Sequence, residues 1–209
     1  MVTYPTRIIE DSLCQAGGGA PLRVAGTDEA GRGAWVGPVV AAAVVLDPDQ
    51  IPPGINDSKK IPKARRILLH DAIMGTADVG IGQATVEEID ALNILQASLL
   101  AMRRAVAALT HPPDHVLVDG NRDPGLGCRT QLVIGGDRIS LSIAAASIIA
   151  KVTRDRLIAD AARDHPAYGW EQNAGYGTAA HREALNIVGI SPFHRKSFRP
   201  ISEILPQES

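Results

Sequence analysis

The chain has 209 residues, of which 45% are hydrophobic and 21% charged, and its formal net charge is −2. This size and composition predict one globular domain, and the charge excludes attraction of nucleic acid by the molecule as a whole. Cys14 and Cys128 are too few for a zinc site or a disulfide framework. The longest apolar run, 36–46, is too short to span a bilayer, and the acidic N-terminal segment is unlike a signal peptide. We therefore expect a cytoplasmic protein that does not bind membranes.

Apolar patterns and turn residues predict alternating helices and strands along the chain. The predicted helices are 7–15, 62–74, a segment capped by Thr85 and Glu88 that continues over 92–109, 142–164, and 178–188. The predicted strands are 22–27, 36–46, 78–84, 115–118 and 131–134. Residues 166–177 are predicted as a loop. We expect an α/β fold with a central mixed sheet flanked by helices and a helical C-terminal part. One domain over 1–209 would then comprise an N-terminal helix and linker (1–20), a core, and a C-terminal part (166–209).

The segment 26–33, Gly-Thr-Asp-Glu-Ala-Gly-Arg-Gly, places two carboxylates where a strand is predicted to end. Oxygen ligands such as those of Asp28 and Glu29 are preferred by Mg²⁺ and Mn²⁺. Gly31 and Gly33 would leave backbone N–H groups open to a polyanion, and Arg32 offers a guanidinium suited to phosphate. An ordinary acidic turn closed by glycines would contain the same residues. This segment alone therefore does not define a site.

The order strand, acid, then glycine or turn occurs twice more, at Asp119 and at Asp137. If these strands belong to one sheet, four carboxylates converge and repel one another, and a pair of divalent cations would remove that repulsion. Two such ions can hydrolyse a phosphodiester, and the absence of a His/Cys set favours Mg²⁺ or Mn²⁺ over Zn²⁺. The alternative is that each aspartate only caps a turn.

Motifs that occur in order over residues 25–200 resemble those of ribonuclease HII. They are TDEAGRG at 27–33, GPV at 37–39, NDSKK at 56–60, VLVDG at 116–120, GD at 136–137, SIAAASIIAKV at 142–152, RD at 154–155 and GYGT at 175–178. The resemblance implies a ribonuclease H-like fold and an endonuclease that cleaves RNA in RNA–DNA hybrids. It also implies incision at ribonucleotides embedded in duplex DNA, with 5′-phosphate and 3′-hydroxyl products.

The resemblance also assigns roles to individual residues. The catalytic, metal-holding carboxylates would be Asp28, Glu29, Asp119 and Asp137, with two ions, Mg²⁺ or Mn²⁺. Backbone groups of Gly31, Arg32 and Gly33 would read the ribose 2′-hydroxyl, and Tyr176 would stack on the sugar of the next deoxynucleotide. Without the resemblance, Tyr176 would be interpreted as a packed loop anchor.

Phosphate contacts are predicted at Lys60, Ser140, Lys151 and Arg195. Two of them also have a simpler interpretation. Lys60 could be a solvent-exposed charge, and Lys151 could pair with Asp155 four residues along its helix. The C-terminal part, 166–209, would bind substrate.

Two alternatives remain open at this stage. One is a ribonuclease HIII-like or other two-metal nuclease without preference for a single ribonucleotide. Asp137, where the HIII branch usually has Glu, and the short N-terminal segment favour HII. The other is a non-catalytic hybrid-binding module, which would gain nothing from clustered negative charge. We expect a monomer. Sliding-clamp docking is not supported by the sequence, because the C-terminal extension of some relatives is largely missing. Trp35 and Asp123 depart from the family pattern and receive no function here.

Overall fold

A computed structural model describes residues 4–16 and 22–204, so most of the predicted linker lies outside the described residues. The strands are β1 (Val24–Ala30), β2 (Val39–Val45), β3 (Asp78–Ala84), β4 (His115–Asp119) and β5 (Arg129–Val133). The helices are α1 (Ile8–Ala16), α2 (Lys63–Thr76), α3 (Val86–Leu92), α4 (Ile94–Ala107), α5 (Leu141–Asp164), α6 (Trp170–Asn173), α7 (Ala179–Val188) and α8 (Arg199–Ser202). Two 3₁₀ turns, Gly136–Arg138 and Pro166–Tyr168, precede α5 and α6.

The five strands form one mixed sheet in the order β3-β2-β1-β4-β5. β2 pairs antiparallel with β1 and β3, whereas β4 pairs parallel with β1 and β5. The small apolar residues of β2 are buried on both faces, as a strand covered by helices on both sides requires. Thr27 lies opposite Val118 in the parallel pair. The carboxyl ends of β1 and β4 therefore lie side by side, and the predicted mixed sheet is confirmed.

Helices cover both faces of the sheet. α3 and α4 pack on one face, and α2 and α5 pack on the other. α5 lies unusually close to β1, because a Cβ atom at Gly26 would overlap the backbone of Ser142 and Ile143. The small side chains over 144–147 are fully or almost fully buried at this contact. This confirms that the Ala-rich part of α5 serves packing, and it places the start of α5 beside the ends of β1 and β4.

The segment after α5 builds a further apolar cluster with residues that follow β1. Trp35 and Val36 pack there against Ile158 of α5, Trp170 of α6 and Leu185 of α7. The cluster joins the chain that leaves β1 to the C-terminal helices. As a result, the segment after Glu29 and the segment before α7 are held together although they are far apart in sequence.

Several predicted boundaries differ from the structure. β1 continues to Ala30 because its pairing with β2 extends to Val40, so Asp28 and Glu29 lie inside the strand. The long helix predicted to end at 109 is two helices, separated at Asn93, whose φ is 71° and whose side chain caps α4. The predicted 166–177 loop contains α6 and a 3₁₀ turn. Within the described ranges, no helix combines the length and apolarity needed to cross a bilayer.

Candidate active site

Three aspartates converge at the carboxyl ends of β1 and β4. Asp28, Asp119 and Asp137 each offer a carboxylate oxygen, and the three oxygens lie within 4.8 Å of one another. Asp28 comes from β1, Asp119 ends β4, and Asp137 lies in the 3₁₀ turn before α5. The N–H of Gly136 donates to Oδ1 of Asp119 at 2.7 Å, which fixes the 3₁₀ turn against β4. We call Asp28, Asp119 and Asp137 the aspartate triad.

Two members of the aspartate triad are buried, and the third, Asp119, is half-buried. Asp28 is 7% exposed and Asp137 is 6% exposed. Burial raises the pKa of Asp28 well above its ordinary value, and the neighbouring charges of Glu29 and Asp119 raise it further. Burial also raises the pKa of Asp137, together with the charges of Asp57 and Asp119. Buried carboxylates in mutual repulsion are strongly stabilised by a cation. Hard oxygen donors in this arrangement fit Mg²⁺ or Mn²⁺.

The fourth predicted carboxylate, Glu29, lies next to the triad but on the other face of the sheet. Neighbouring residues of a strand point to opposite faces, and Gly26, two residues before Asp28, faces α5. Glu29 accordingly lines a cleft of about 270 Å³ on the α4 side, together with Asp119. Its Oε1 accepts a hydrogen bond from Arg32 at 3.1 Å. Burial raises the pKa of Glu29, although the charge of Arg32 acts against this.

Two residues that the sequence did not single out also lie beside the aspartate triad. Asp57 is 7% exposed, and its charge contributes to the raised pKa of Asp137. Nζ of Lys59 lies 3.9 Å from Oδ2 of Asp137. Burial acts to lower the pKa of Lys59, but nearby carboxylates outweigh it and the pKa is raised. Both residues belong to the NDSKK motif at 56–60, which contributes to the resemblance but assigns them no role. By itself, an acid followed by lysines is common on solvated surfaces.

The turn at 31–33, which we call the glycine turn, rests on two buried arginines. Arg195 donates from Nη1 to the carbonyls of Arg32 and Ala34, and from Nε to the carbonyl of Gly37. Arg154 of α5 packs against Gly31, whose φ is +97°. Both arginines are 0% exposed. The conformation of the glycine turn is therefore determined from beneath by side chains of distant segments.

Tyr176 lies across from the glycine turn. The residue is 39% exposed, and a Cβ atom built on Gly33 would lie 3.8 Å from Cε1 of its ring. Arg154 lies under the ring, with Cζ 5.5 Å from the ring centroid, and Nζ of Lys151 is 5.8 Å from the same centroid. The structure thus brings together the glycine turn and the tyrosine that the sequence assigned to one binding surface.

The four predicted phosphate contacts differ in their exposure to solvent. Ser140 and Arg195 are fully buried, which is incompatible with direct contact to a phosphate in this conformation. Ser140 instead caps α5 by accepting from the N–H of Ile143, and Arg195 supports the glycine turn. Lys60 is exposed, as a contact requires. Lys151 pairs with Asp155 at 2.7 Å, as the plainer interpretation held, and retains 22% side-chain exposure.

The family model described as Ribonuclease HII matches residues 25–201. A Ribonuclease HII of Ruegeria pomeroyi is 57% identical over 208 residues, which cover 99% of this chain and 88% of that protein.

Two solved structures have the same fold. The ribonuclease H2 of Pyrococcus horikoshii OT3 superposes with a TM-score of 0.73 at 27% identity, covering 87% of this chain and 96% of that chain. The ribonuclease HII of Archaeoglobus fulgidus, solved as a complex with PCNA, gives 0.74 at 27% identity, covering 90% and 98%. The chain therefore belongs to the ribonuclease HII family, endoribonucleases that cleave RNA in RNA–DNA hybrids, and it has their ribonuclease H-like fold.

Proposed function

We propose that this chain both hydrolyses the RNA strand of RNA–DNA hybrids and incises DNA duplexes at embedded ribonucleotides. The products would carry 5′-phosphate and 3′-hydroxyl ends. The observation that carries the proposal is the aspartate triad, whose oxygens lie within 4.8 Å of one another. One of its members, Asp28, is in the strand that leads directly into the glycine turn. A metal centre for phosphodiester hydrolysis and a surface for ribose recognition would then lie within one site.

The aspartate triad would hold two divalent ions, Mg²⁺ or Mn²⁺, with Glu29 joining from the α4 side of Asp119. When bound, two such ions activate an attacking water and stabilise the leaving 3′-oxygen of a phosphodiester. The protein's contribution is rigid placement. Asp28 and Asp119 lie on neighbouring strands of the sheet, and Asp137 is anchored through the N–H of Gly136. Sites built on such elements hold their geometry better than sites on free loops.

Recognition of the ribose would come from the glycine turn and Tyr176. The 2′-hydroxyl is the group by which a protein distinguishes RNA from DNA at one position. Backbone groups of Gly31, Arg32 and Gly33 would read it, and the exposed ring of Tyr176 would stack on the sugar that follows. Because the glycine turn directly follows Ala30 at the end of β1, ribose recognition would be coupled to the position of Asp28 and Glu29.

Substrate contacts outside the aspartate triad, partners and location are also proposed. The C-terminal part supplies Tyr176, which supports a substrate-binding role for 166–209 within one catalytic domain. Lys60 and Lys151 remain the proposed phosphate contacts. The PCNA complex is a property of the Archaeoglobus protein, and for this chain we keep the proposal of a monomer whose sequence does not support clamp docking. RNA–DNA hybrids form where DNA is replicated and transcribed, so we propose a cytoplasmic location.

The test is cleavage of three DNA duplexes that contain none, one or four consecutive ribonucleotides. We expect cleavage of the second and third only, and only with Mg²⁺ or Mn²⁺. Asp28→Asn should abolish it while the fold is kept. Asp123→Asn is the matched control, because Asp123 lies in an exposed loop where Oδ1 accepts from the N–H of Gly125. Full activity of Asp28→Asn would overturn the metal site. Cleavage of the four-ribonucleotide duplex alone would indicate specificity of the ribonuclease HIII kind.

A further inference from the structure

The glycine turn and Tyr176 belong to segments that are far apart in the chain but face each other. A Cβ atom on Gly33 would lie 3.8 Å from Cε1 of Tyr176, an ordinary contact, so the gap between the glycine turn and the ring has room for about one methyl group. A surface that reads a single ribose depends on the width of such a gap. What holds the two segments at this distance therefore matters for the reaction.

Arg154 contacts both sides of the gap. On one side its Nη2 donates to the carbonyl of Val36 at 3.0 Å, and its guanidinium packs against Gly31. On the other side its Nη1 donates to the carbonyl of Ala174 at 2.9 Å, and its Cζ lies 5.5 Å from the ring centroid of Tyr176. One fully buried side chain thus links the segment of the glycine turn to the segment of Tyr176.

Burial of the Arg154 charge is energetically unfavourable. It has no ion pair with any carboxylate in the described part of the chain, and its Nε has no hydrogen-bond partner there. Burial lowers its pKa, which shows that the surroundings disfavour the charge. Apolar residues of similar volume usually fill a core at lower cost than an unpaired buried charge. The fork geometry of arginine, with two donors directed at two carbonyls, is what an apolar side chain cannot supply.

Trp35 supports the same pair of segments at a second point. Its backbone N–H donates to the carbonyl of Gly175 at 2.9 Å, and its indole lies directly against Gly177, where a Cβ atom would overlap the ring. Trp35 follows the glycine turn by two residues, and the two glycines flank Tyr176. The indole is 8% exposed, so its role is packing beneath the surface and not contact with a substrate base.

We propose that Arg154 and Trp35 are positioning residues that hold Tyr176 at a fixed distance from the glycine turn, and that this distance determines how efficiently a ribonucleotide is accepted. Neither side chain has a hydrogen bond or ion pair to the aspartate triad among the described contacts. The inference deepens the proposed function and rests on it, since it assigns the gap to ribose recognition.

The test is a double-mutant cycle of Arg154→Lys with Tyr176→Ala. Lysine keeps a positive charge but cannot bind both carbonyls. We expect the single variant to keep its Mg²⁺-dependent rise in Tm, because the triad is untouched. We expect kcat/KM on a duplex with one ribonucleotide to fall about 10- to 100-fold, since misplacing a binding group by about 1 Å has effects of this size. In the Tyr176→Ala background the same substitution should cost little more.

Trp35→Leu provides a second, independent cycle with Tyr176→Ala, in case Arg154→Lys does not fold. The expected result is again a loss that is not additive with Tyr176→Ala. Arg103→Lys is the matched control, because the guanidinium of Arg103 donates to a loop carbonyl, that of Pro124, away from Tyr176. It should leave kcat/KM unchanged.

Additive losses in the cycle, or unchanged kcat/KM in the single variants, would overturn the inference, because a merely structural role does not act through Tyr176. Failure of the proposed function is distinguishable from this result. It would appear in the unmodified protein as cleavage without metal dependence or without ribose dependence, whereas failure of the positioning role appears only in variants of an active enzyme.

Discussion

The guanidinium of Arg154 occupies the space where a side chain on Gly31 would lie. Gly31 also has a φ of +97°, a conformation that L-residues with a Cβ atom rarely adopt. Gly33 differs on both counts: a Cβ atom there would make an ordinary contact of 3.8 Å with Tyr176. The two glycines are therefore required for different physical reasons. At Gly31 both packing and backbone conformation exclude a side chain, whereas at Gly33 a side chain would only fill the open space in front of Tyr176.

This difference predicts that Gly33→Ala affects ribose recognition without affecting stability, whereas Gly31→Ala affects both. Gly33→Ala should change the free energy of unfolding by no more than about 0.5 kcal/mol. It should still reduce cleavage at a single ribonucleotide, because its methyl group narrows the gap to Tyr176. Gly31→Ala should lose about 1–3 kcal/mol of stability through strain and collision with Arg154. Urea denaturation and cleavage assays of both variants check this.

Full activity of Gly33→Ala would show that the gap has no role in recognising the ribose. A large loss of stability in Gly33→Ala would contradict the geometry itself. Reduced activity of Gly31→Ala, by contrast, carries no information about recognition by itself, because the new methyl group also collides with Arg154. The same substitution in the Arg154→Lys background is needed to separate the two effects.

The aspartate triad is largely predictable from the sequence. Asp28 and Asp119 each come at the end of a short apolar run, and neighbouring parallel strands end at the same edge of a sheet. The face of the sheet on which each acid lies is not predictable. Side chains alternate between faces only within a strand, so the position of Glu29 depends on how far β1 extends. Pairing of Ala30 with Val40 extends β1 beyond the acids and sends Glu29 to the α4 side. Strand length is set here by the partner strand, and local patterns carry little information on it.

Basic residues are the least predictable part of the site. Arg195 is predicted as a phosphate contact from its charge, yet it is buried because the carbonyls of Arg32, Ala34 and Gly37 face it. Only the folded loop turns these carbonyls inward. For Arg154 a local signal exists: Ala150 and Ile158 lie four residues on either side, so the residue lies on the buried face of α5.

The proximity of Lys59 to the aspartate triad predicts an effect on metal affinity. Removing its charge leaves the carboxylates with less compensation, so Lys59→Met should bind Mg²⁺ about fivefold more tightly, since two unit charges about 4 Å apart in water interact by about 1 kcal/mol. Lys60→Met is the matched control, since Lys60 is exposed and has no ion pair to a described carboxylate. Titration of Mg²⁺ against Tm measures both variants. Weaker Mg²⁺ binding by Lys59→Met would instead show that Lys59 supports the ions.

The buried carboxylate of Glu10 in α1 predicts that stability is sensitive to substitution there, because Glu10 binds the start of α5. Its Oε1 accepts hydrogen bonds from Oγ of Ser140 and from both N–H and Oγ of Ser142, at the start of α5. The carboxylate is 3% exposed. The two serine hydroxyls lie 3.1 Å apart and can still bond to each other. Glu10→Ala therefore leaves the N–H of Ser142 and one hydroxyl buried without an acceptor, which should cost about 1–3 kcal/mol of stability. Urea denaturation provides the measurement.

Asp11→Ala is the control for Glu10→Ala, because the neighbouring Asp11 is exposed and, within residues 4–16 and 22–204, forms an ion pair only with Arg7, one helical turn earlier. A surface pair of this kind contributes less than about 1 kcal/mol. Equal losses in the two variants would contradict the importance of the buried contact. We also expect Glu10→Ala to weaken the Mg²⁺-dependent rise in Tm, since the start of α5 follows the turn that carries Asp137.

A buried histidine pair predicts sensitivity to acid. His181 and His194 are both 0% exposed, and their Nε2 atoms lie 3.2 Å apart. Nε2 of His181 also accepts from Nε1 of Trp170, and Nδ1 of His194 accepts from the N–H of Ser191. This network is complete only with both rings neutral, because an added proton would face a donor. Burial and the neighbouring His181 and His165 lower the pKa of His194 to about 4.

The sign of the effect follows from proton binding. Between pH 6.5 and about 4 the unfolded chain binds a proton at His194 that the folded chain does not, so stability falls as the pH falls through this window. About 2 kcal/mol should be lost between pH 7 and pH 5 from this residue. His194→Asn keeps an acceptor for the N–H of Ser191 but does not titrate, so its loss over this range should be smaller by that amount. His111→Asn, at an exposed position, should behave like the unmodified protein. Urea denaturation at pH 7 and pH 5 compares the three, and equal losses in all of them would show that the pair is not the acid-sensitive element.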